Sequence, residues 1–144
     1  MKATGLVDTG AILAMLDRDD RWHAACLEAF PTLQYPLLTS EAVLTELFHL
    51  VGRREVETAW RFVRSGIVSI GAITDDDLGE LNALMSRYRD RPMDLADATL
   101  VHLARRESIG LIFTIDHDDF ETYRIEGQKK FQIVPSRAGL SRRR

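Results

Sequence analysis

Hydrophobic positions along this chain fall into two rhythms, short continuous runs and longer stretches spaced by three or four, and the two alternate from end to end. The first run, Thr4-Gly5-Leu6-Val7, closes on Asp8, and the helix-forming Gly10 to Leu16 comes at once after it, so a strand is predicted to run straight into a helix. Asp19 and Asp20 are placed to cap a second helix through Trp22, Ala25, Leu27 and Phe30, which Pro31 and Pro36 separate from the next element. Pro36 to Thr39 reads as a short buried strand, with Ser40 as the N-cap of a third helix whose Leu44, Leu47, Phe48 and Val51 mark one buried face; Gly52 ends it.

The second half repeats the scheme. Val56, Ala59, Trp60 and Val63 predict a fourth helix over 54–65, with Gly66 as a left-handed C-terminal cap. Ile67 to Ile70 is a β-branched strand, and Thr74 before Asp75, Asp76 and Asp77 starts a helix with Leu78, Leu81, Leu84, Met85 and Tyr88 on one side. Past the break at Pro92, Asp94 to Glu107 is helix-favouring up to Gly110, Leu111 to Asp116 is a strand ending in an acid, and Phe131 to Val134 is a last short strand. Strands alternating with helices imply an α/β fold, a parallel sheet covered on both faces that receives its ligand beyond the carboxyl ends of the strands.

Composition narrows the class. A chain of 144 residues, 45% of them hydrophobic, has room for one sizeable core, read here as a single domain over 1–138 with a frayed basic tail over 139–144 ending in Arg142-Arg143-Arg144. No apolar run approaches the roughly 18 to 20 residues that span a bilayer, so no membrane association is expected. Cys26 has neither a disulfide partner nor a neighbouring ligand, which makes it a packing residue and the cytoplasm the expected compartment. A net charge of −3 argues against a nucleic-acid partner until the acids are sorted. Setting four of the 22 acids aside for one metal site leaves 18 against 19 basic residues, a balance compatible with RNA.

Asp8 and Asp116 each close a strand, and in a parallel sheet both ends open on one rim. Glu46 lies on a helix whose apolar neighbours cover more than one face, and a carboxylate facing a cleft is costly unless a cation meets it. Asp97 sits among Leu95, Ala96, Ala98, Leu100 and Val101, where function is favoured over surface decoration. Asp94, three residues earlier on the same helix side, reads equally as a first-turn cap. Oxygen-only ligands select a hard divalent cation such as Mg²⁺ or Mn²⁺, and that chemistry suits metal-assisted phosphodiester hydrolysis. Thr114, two residues before Asp116, is placed by strand periodicity on that acid's side, to orient a ligand or simply to favour the strand.

Other features carry less. Trp22 and His23 suit base stacking but read better as packing. Arg87, Arg89 and Arg91 suit phosphate steering, with a solvated helix end slightly favoured. His49, His102 and His117 lack metal-ligand spacing, and no nucleophile motif is present.

Taken together, Leu6-Val7-Asp8-Thr9-Gly10, Thr39-Ser40 through Thr45-Glu46, Asp94-Leu95-Ala96-Asp97-Ala98 and Phe113-Thr114-Ile115-Asp116 resemble, in order and spacing, the four acidic motifs of the PIN domain, and most strongly those of VapC-type toxins. The resemblance implies a three-layer α/β/α sandwich on a parallel sheet of about five strands. It also implies an acidic pocket for Mg²⁺ or Mn²⁺ held by Asp8, Glu46, Asp97 and Asp116, with Asp94 as an additional candidate and Thr9, Thr114 and Asp119 in support. It further implies an endoribonuclease, the toxin of a toxin–antitoxin pair, acting as a homodimer on RNA and held by a cognate antitoxin. His117-Asp118-Asp119-Phe120 resembles the family's continuation, with helix capping the favoured role for Asp118 or Asp119. Haloacid dehalogenase-type phosphatases need a second Asp where this chain has Gly10, and a receiver domain needs a Lys absent near the last strand. The rival from another class is a PIN-like module that binds RNA or protein without cutting.

Overall fold

Asp8 sits where the first strand stops and the first helix starts, and the chain is organised around that kind of junction. The structure is a computed structural model that describes residues 2–141. In chain order it runs β1 (Gly5–Val7), α1 (Thr9–Leu16), α2 (His23–Ala29), β2 (Leu37–Thr39), α3 (Glu41–Leu50), α4 (Val56–Arg64), β3 (Val68–Ile70), α5 (Leu78–Arg87), α6 (Leu95–Glu107), β4 (Leu111–Phe113), α7 (His117–Thr122), β5 (Gln132–Val134) and α8 (Ala138–Ser141).

The five strands form one parallel sheet in the order β3-β2-β1-β4-β5, with Val7 opposite Phe113 in the central pair. Each strand has only three residues, and β1 and β2 are buried throughout, which accounts for their continuous rather than alternating apolar character. Two apolar clusters lie against the sheet. One centres on Leu6, Leu100, Leu103, Ile112 and Tyr123 beneath α5 and α6, the other on Val7, Ile12, Leu37, Leu47 and Phe113 beneath α1 to α4. Because β1 contributes Leu6 to the first and Val7 to the second, both of its faces are covered, and each fully buried Leu contributes about 1.5–3 kcal/mol.

Several local expectations are corrected. Asp19 and Asp20 do not cap α2: its N-cap is Trp22, without a side-chain cap, and Asp20 Oδ1 accepts from Trp22 N at 2.8 Å to close the preceding turn. Phe30 leaves that helix for a 3-10 turn over Phe30–Thr32, since Pro31 cannot donate to a continuing helix. Residues Arg53–Glu55 form another 3-10 turn, so α4 begins at Val56, while Gly66 adopts the left-handed φ of +92° expected after it. Thr74 and Asp77 form a reciprocal capping box, yet Leu78 stands 56% exposed instead of joining Leu81 and Leu84 in the core. The strand read through to Asp116 stops at Phe113. Residues 139–141, read as part of the tail, belong to the helical segment 138–141, and Leu140 packs on the second cluster. Arg142 to Arg144 lie outside the described residues. Cys26 is buried and free, its thiol pushed up to about 12 by that burial, which suits a packing role. Among the described residues no helix is long and apolar enough to cross a membrane.

Candidate functional site

A cavity of about 460 Å³ opens at the carboxyl ends of the central strands, lined by Asp8, Glu46, Asp94, Asp97, Asp116 and Asp119 together with Thr9, Gly10 and a few apolar side chains. All four acids read from sequence as ligands therefore share one cavity, although they come from the junction of β1 and α1, from α3, from α6 and from the segment after β4.

Asp8 is the N-cap of α1, its Oδ1 accepting from Thr9 N at 2.8 Å, and its Oδ2 accepts from Thr114 Oγ1 at 3.0 Å. Thr114 Oγ1 in turn accepts from Asp116 N at 3.0 Å, so one buried hydroxyl ties the two strand-end acids together. β4 ends at Phe113, yet Thr114 N still donates to Val134 O at 3.0 Å, so pairing with β5 places Thr114 and the turn that follows brings Asp116 N onto its hydroxyl. Gly10 allows the two segments to approach, because a Cβ on it would meet Ile115 Cγ1 at 2.9 Å. Thr9 turns its own hydroxyl away, onto Val43 O at 3.2 Å, and so fastens α1 to the helix that carries Glu46.

Glu46 is half-buried on α3, which Ser40 caps by accepting from Val43 N at 3.3 Å. Ser40 Oγ and Thr99 Oγ1 lie 2.7 Å apart, a buried hydroxyl pair that joins α3 to α6 and thereby fixes Glu46 relative to Asp97. At the start of α6, Asp94 Oδ1 accepts from Asp97 N at 2.8 Å, the N-cap geometry its position suggested, while its side chain also borders the cavity. Asp97 is 8% exposed and its Oδ2 accepts from Tyr123 Oη at 2.8 Å.

Among the described residues, Asp97, Asp116 and Asp119 each bring an oxygen within 4.8 Å of the others. Asp119 therefore belongs to the tightest acidic group, beyond its place in the first turn of α7, where its N–H meets Asp116 Oδ1 at 3.4 Å. Asp118 turns outward to Arg137. Of the other sequence candidates, Trp22 stacks on buried His117 at 4.9 Å, His23 Nδ1 meets Ala14 O at 2.7 Å, and His102 pairs with Asp77 at 2.9 Å, so all of these serve packing. Arg91 reaches Asp119 Oδ1 at 3.0 Å.

Electrostatics set the chemistry. Asp8 is pushed up to about 7, first by burial, against the Thr9 and Thr114 hydrogen bonds, with Glu46 and Asp116 adding repulsion. Asp97 rises to about 8, again chiefly by burial, then by repulsion from Asp8 and Asp94, with the Tyr123 hydroxyl opposing. Asp116 rises to about 6 through burial and its contact with Asp119. The Tyr123 hydroxyl is held above its ordinary value by burial and by Asp97, so it remains a donor. Acids this costly to ionise together are suited to a counter-cation, and a donor set of carboxylate oxygens without His or Cys fits a hard divalent ion. Ser40 caps α3 as the sequence suggested, whereas sequence reasoning missed its pairing with Thr99, the Tyr123 contact to Asp97 and the pairing of Arg91 with Asp119.

The chain matches the family model described as PIN domain over residues 5–126. It is 29% identical over 134 residues to Ribonuclease VapC26 of Mycobacterium tuberculosis (strain ATCC 25618 / H37Rv), covering 90% of this chain and 99% of that protein. It also superposes on the crystal structure of Mycobacterium tuberculosis VapC20, described as a Sarcin-Ricin loop cleaving toxin, with a TM-score of 0.70 at 23% identity, over 80% of this chain and 93% of the other. That last likeness bears on the fold: the parallel sheet flanked by helices is the PIN-like arrangement expected from the sequence.

Proposed function

The chain belongs to the PIN-domain family, and from that membership we propose that it is a divalent-metal-dependent endoribonuclease, the toxin of a toxin–antitoxin pair. The observation that carries the reading is the convergence of Asp97, Asp116 and Asp119, with Asp8 and Glu46 in the same cavity. A module that only bound RNA or protein would gain nothing from burying acids at such electrostatic cost.

In this reading Asp97, Asp116 and Asp119 hold Mg²⁺ or Mn²⁺, with Asp8 and Glu46 completing the site and Asp94 bordering it. The ion supplies a low-pKa water and neutralises charge on the attacked phosphate. The chain's own residues set the geometry. Thr114 and the Thr9 N–H hold both oxygens of Asp8 at fixed angles, Tyr123 holds one oxygen of Asp97 and leaves the other free, and the Ser40–Thr99 pair keeps Glu46 in register with α6.

We further propose a cytoplasmic homodimer with an antitoxin that occupies the cavity. Exposed Leu78 and Leu95, which border a hollow of about 220 Å³ lined also by Ala42, Ile73 and Leu81, supply surface for self-association. The deciding experiment incubates purified, antitoxin-free protein with structured RNAs and Mg²⁺ or Mn²⁺. Cleavage by the wild type that disappears in Asp97→Asn and Asp116→Asn supports the proposal; divalent-ion binding without any cleavage would return the chain to the binding-module reading.

A further inference from the structure

The acidic cavity has one electrostatic problem that a metal alone leaves open. RNA must bring phosphates to it, and none of the described residues lining it is a Lys or Arg. A ring of carboxyl groups without a cationic lip repels the substrate at the approach, where screening by bound ions at the base is weakest. Of the ion pairs formed among the described residues, only Arg91–Asp119 joins a basic side chain to an acid of the cavity.

We propose that Arg91 is a substrate-positioning residue that receives an RNA phosphate at the mouth of the cavity, with Asp119 holding its guanidinium ready in the absence of RNA. The inference rests on the ribonuclease reading and deepens it. Arg91 stands between α5 and α6, directly before Pro92, which lines the cavity, buried Met93, and Asp94, which caps α6, so its backbone is anchored at the rim. Its side chain is 46% exposed and contacts Asp119 through Nη1 at 3.0 Å, the one hydrogen bond found for this guanidinium. The other N–H groups of the fork are free of described partners and suited to a phosphate, for which a guanidinium is a matched bidentate donor. An ion pair this exposed contributes little net stability, so the exchange of Asp119 for a phosphate is inexpensive. A cation entering the acidic group also draws on Asp119 and loosens the same pair, which couples metal loading to the release of Arg91 toward RNA.

The test uses the full chain with Mn²⁺ and a fluorescein-labelled RNA hairpin, comparing wild type, Arg91→Ala and Arg91→Lys. Arg91→Ala is expected to weaken hairpin binding about five- to tenfold and to lower the slope of log K against log salt by about one, with KM raised and kcat within about twofold. Arg91→Lys restores the slope and part of the affinity, because charge survives and the fork does not. Calorimetry should find Mn²⁺ affinity unchanged or tighter in Arg91→Ala, since a competitor for Asp119 is gone. An unchanged salt slope and KM would overturn the proposal, as would weakened Mn²⁺ binding with RNA affinity intact, which is what a merely structural pair predicts. Failure of the wild type to cut the hairpin or any structured RNA defeats the ribonuclease reading, whereas the binding slopes still judge Arg91.

Discussion

Replacing Asp97 with Asn should make the metal-free protein more stable at alkaline pH while abolishing its activity. Asp97 is carried from 3.8 to about 8, and each unit corresponds to about 1.4 kcal/mol. Ionising it in an empty pocket thus costs on the order of 5 kcal/mol. Part of that repulsion is shared with Asp8, so about 2–4 kcal/mol is the expected gain from the isosteric amide, which keeps an acceptor for Tyr123. The sign comes from proton linkage: between about pH 4 and 8 the folded wild type binds more protons than the unfolded chain, so its stability falls as pH rises through that window. Thermal melts in a chelator from pH 4 to 8.5 should show the two proteins coinciding at the acid end. Asp97→Asn should melt about 6–12 °C higher at the alkaline end, at about 3 °C per kcal/mol. Adding Mn²⁺ at pH 8 should raise the wild type and leave the variant in place. A gap independent of pH, or an equal Mn²⁺ response in both proteins, refutes the account of Asp97 as a buried acid awaiting a cation.

Other consequences are as direct. Thr114→Val removes the hydroxyl shared by Asp8 and Asp116 N, and should weaken Mn²⁺ affinity about 10- to 100-fold, by calorimetry, with the circular dichroism spectrum retained. Tyr123→Phe deletes the bond that lowers Asp97, so the pH midpoint for Mn²⁺ binding should move upward; an unmoved midpoint would show the contact to be inert. Ser40→Ala breaks both the α3 cap and the pair to Thr99 and should cost about 1–2 kcal/mol in denaturant melts. At a fixed, subsaturating Mn²⁺ concentration activity should rise between about pH 6 and 8, as Asp116, Asp8 and Asp97 give up protons to admit the ion; a profile flat over that range contradicts the shifts.

Most of the architecture was legible in one dimension because it rests on local rules. A short run such as Leu37-Leu38-Thr39, set between Pro36 and the helix cap Ser40, fits a strand buried on both faces, and the spacing of Leu44, Leu47 and Phe48 fits the buried face of a helix. Acids at the strand ends, Asp8 and Asp116, were readable for the same reason: in a parallel sheet the chain direction alone sends both to one rim. Boundaries were less legible, since Trp22 rather than Asp20 begins α2 and β4 stops three residues before Asp116, where turn hydrogen bonds outweigh periodicity.

What only the tertiary structure decided is how the acids are held and what surrounds them. Thr114 meets Asp8 across 106 residues of sequence, Ser40 meets Thr99 across 59, Arg91 meets Asp119 across 28 and Tyr123 meets Asp97 across 26. No period or motif encodes such pairs, because each depends on where separate elements come to rest in packing. Local pattern therefore determined the strands, the helices and the acidic candidates. Long-range packing determined that Asp119 joins the closest carboxyl group, that Asp118 turns away, and that burial raises three acids toward neutrality by removing the water that would otherwise stabilise their charge.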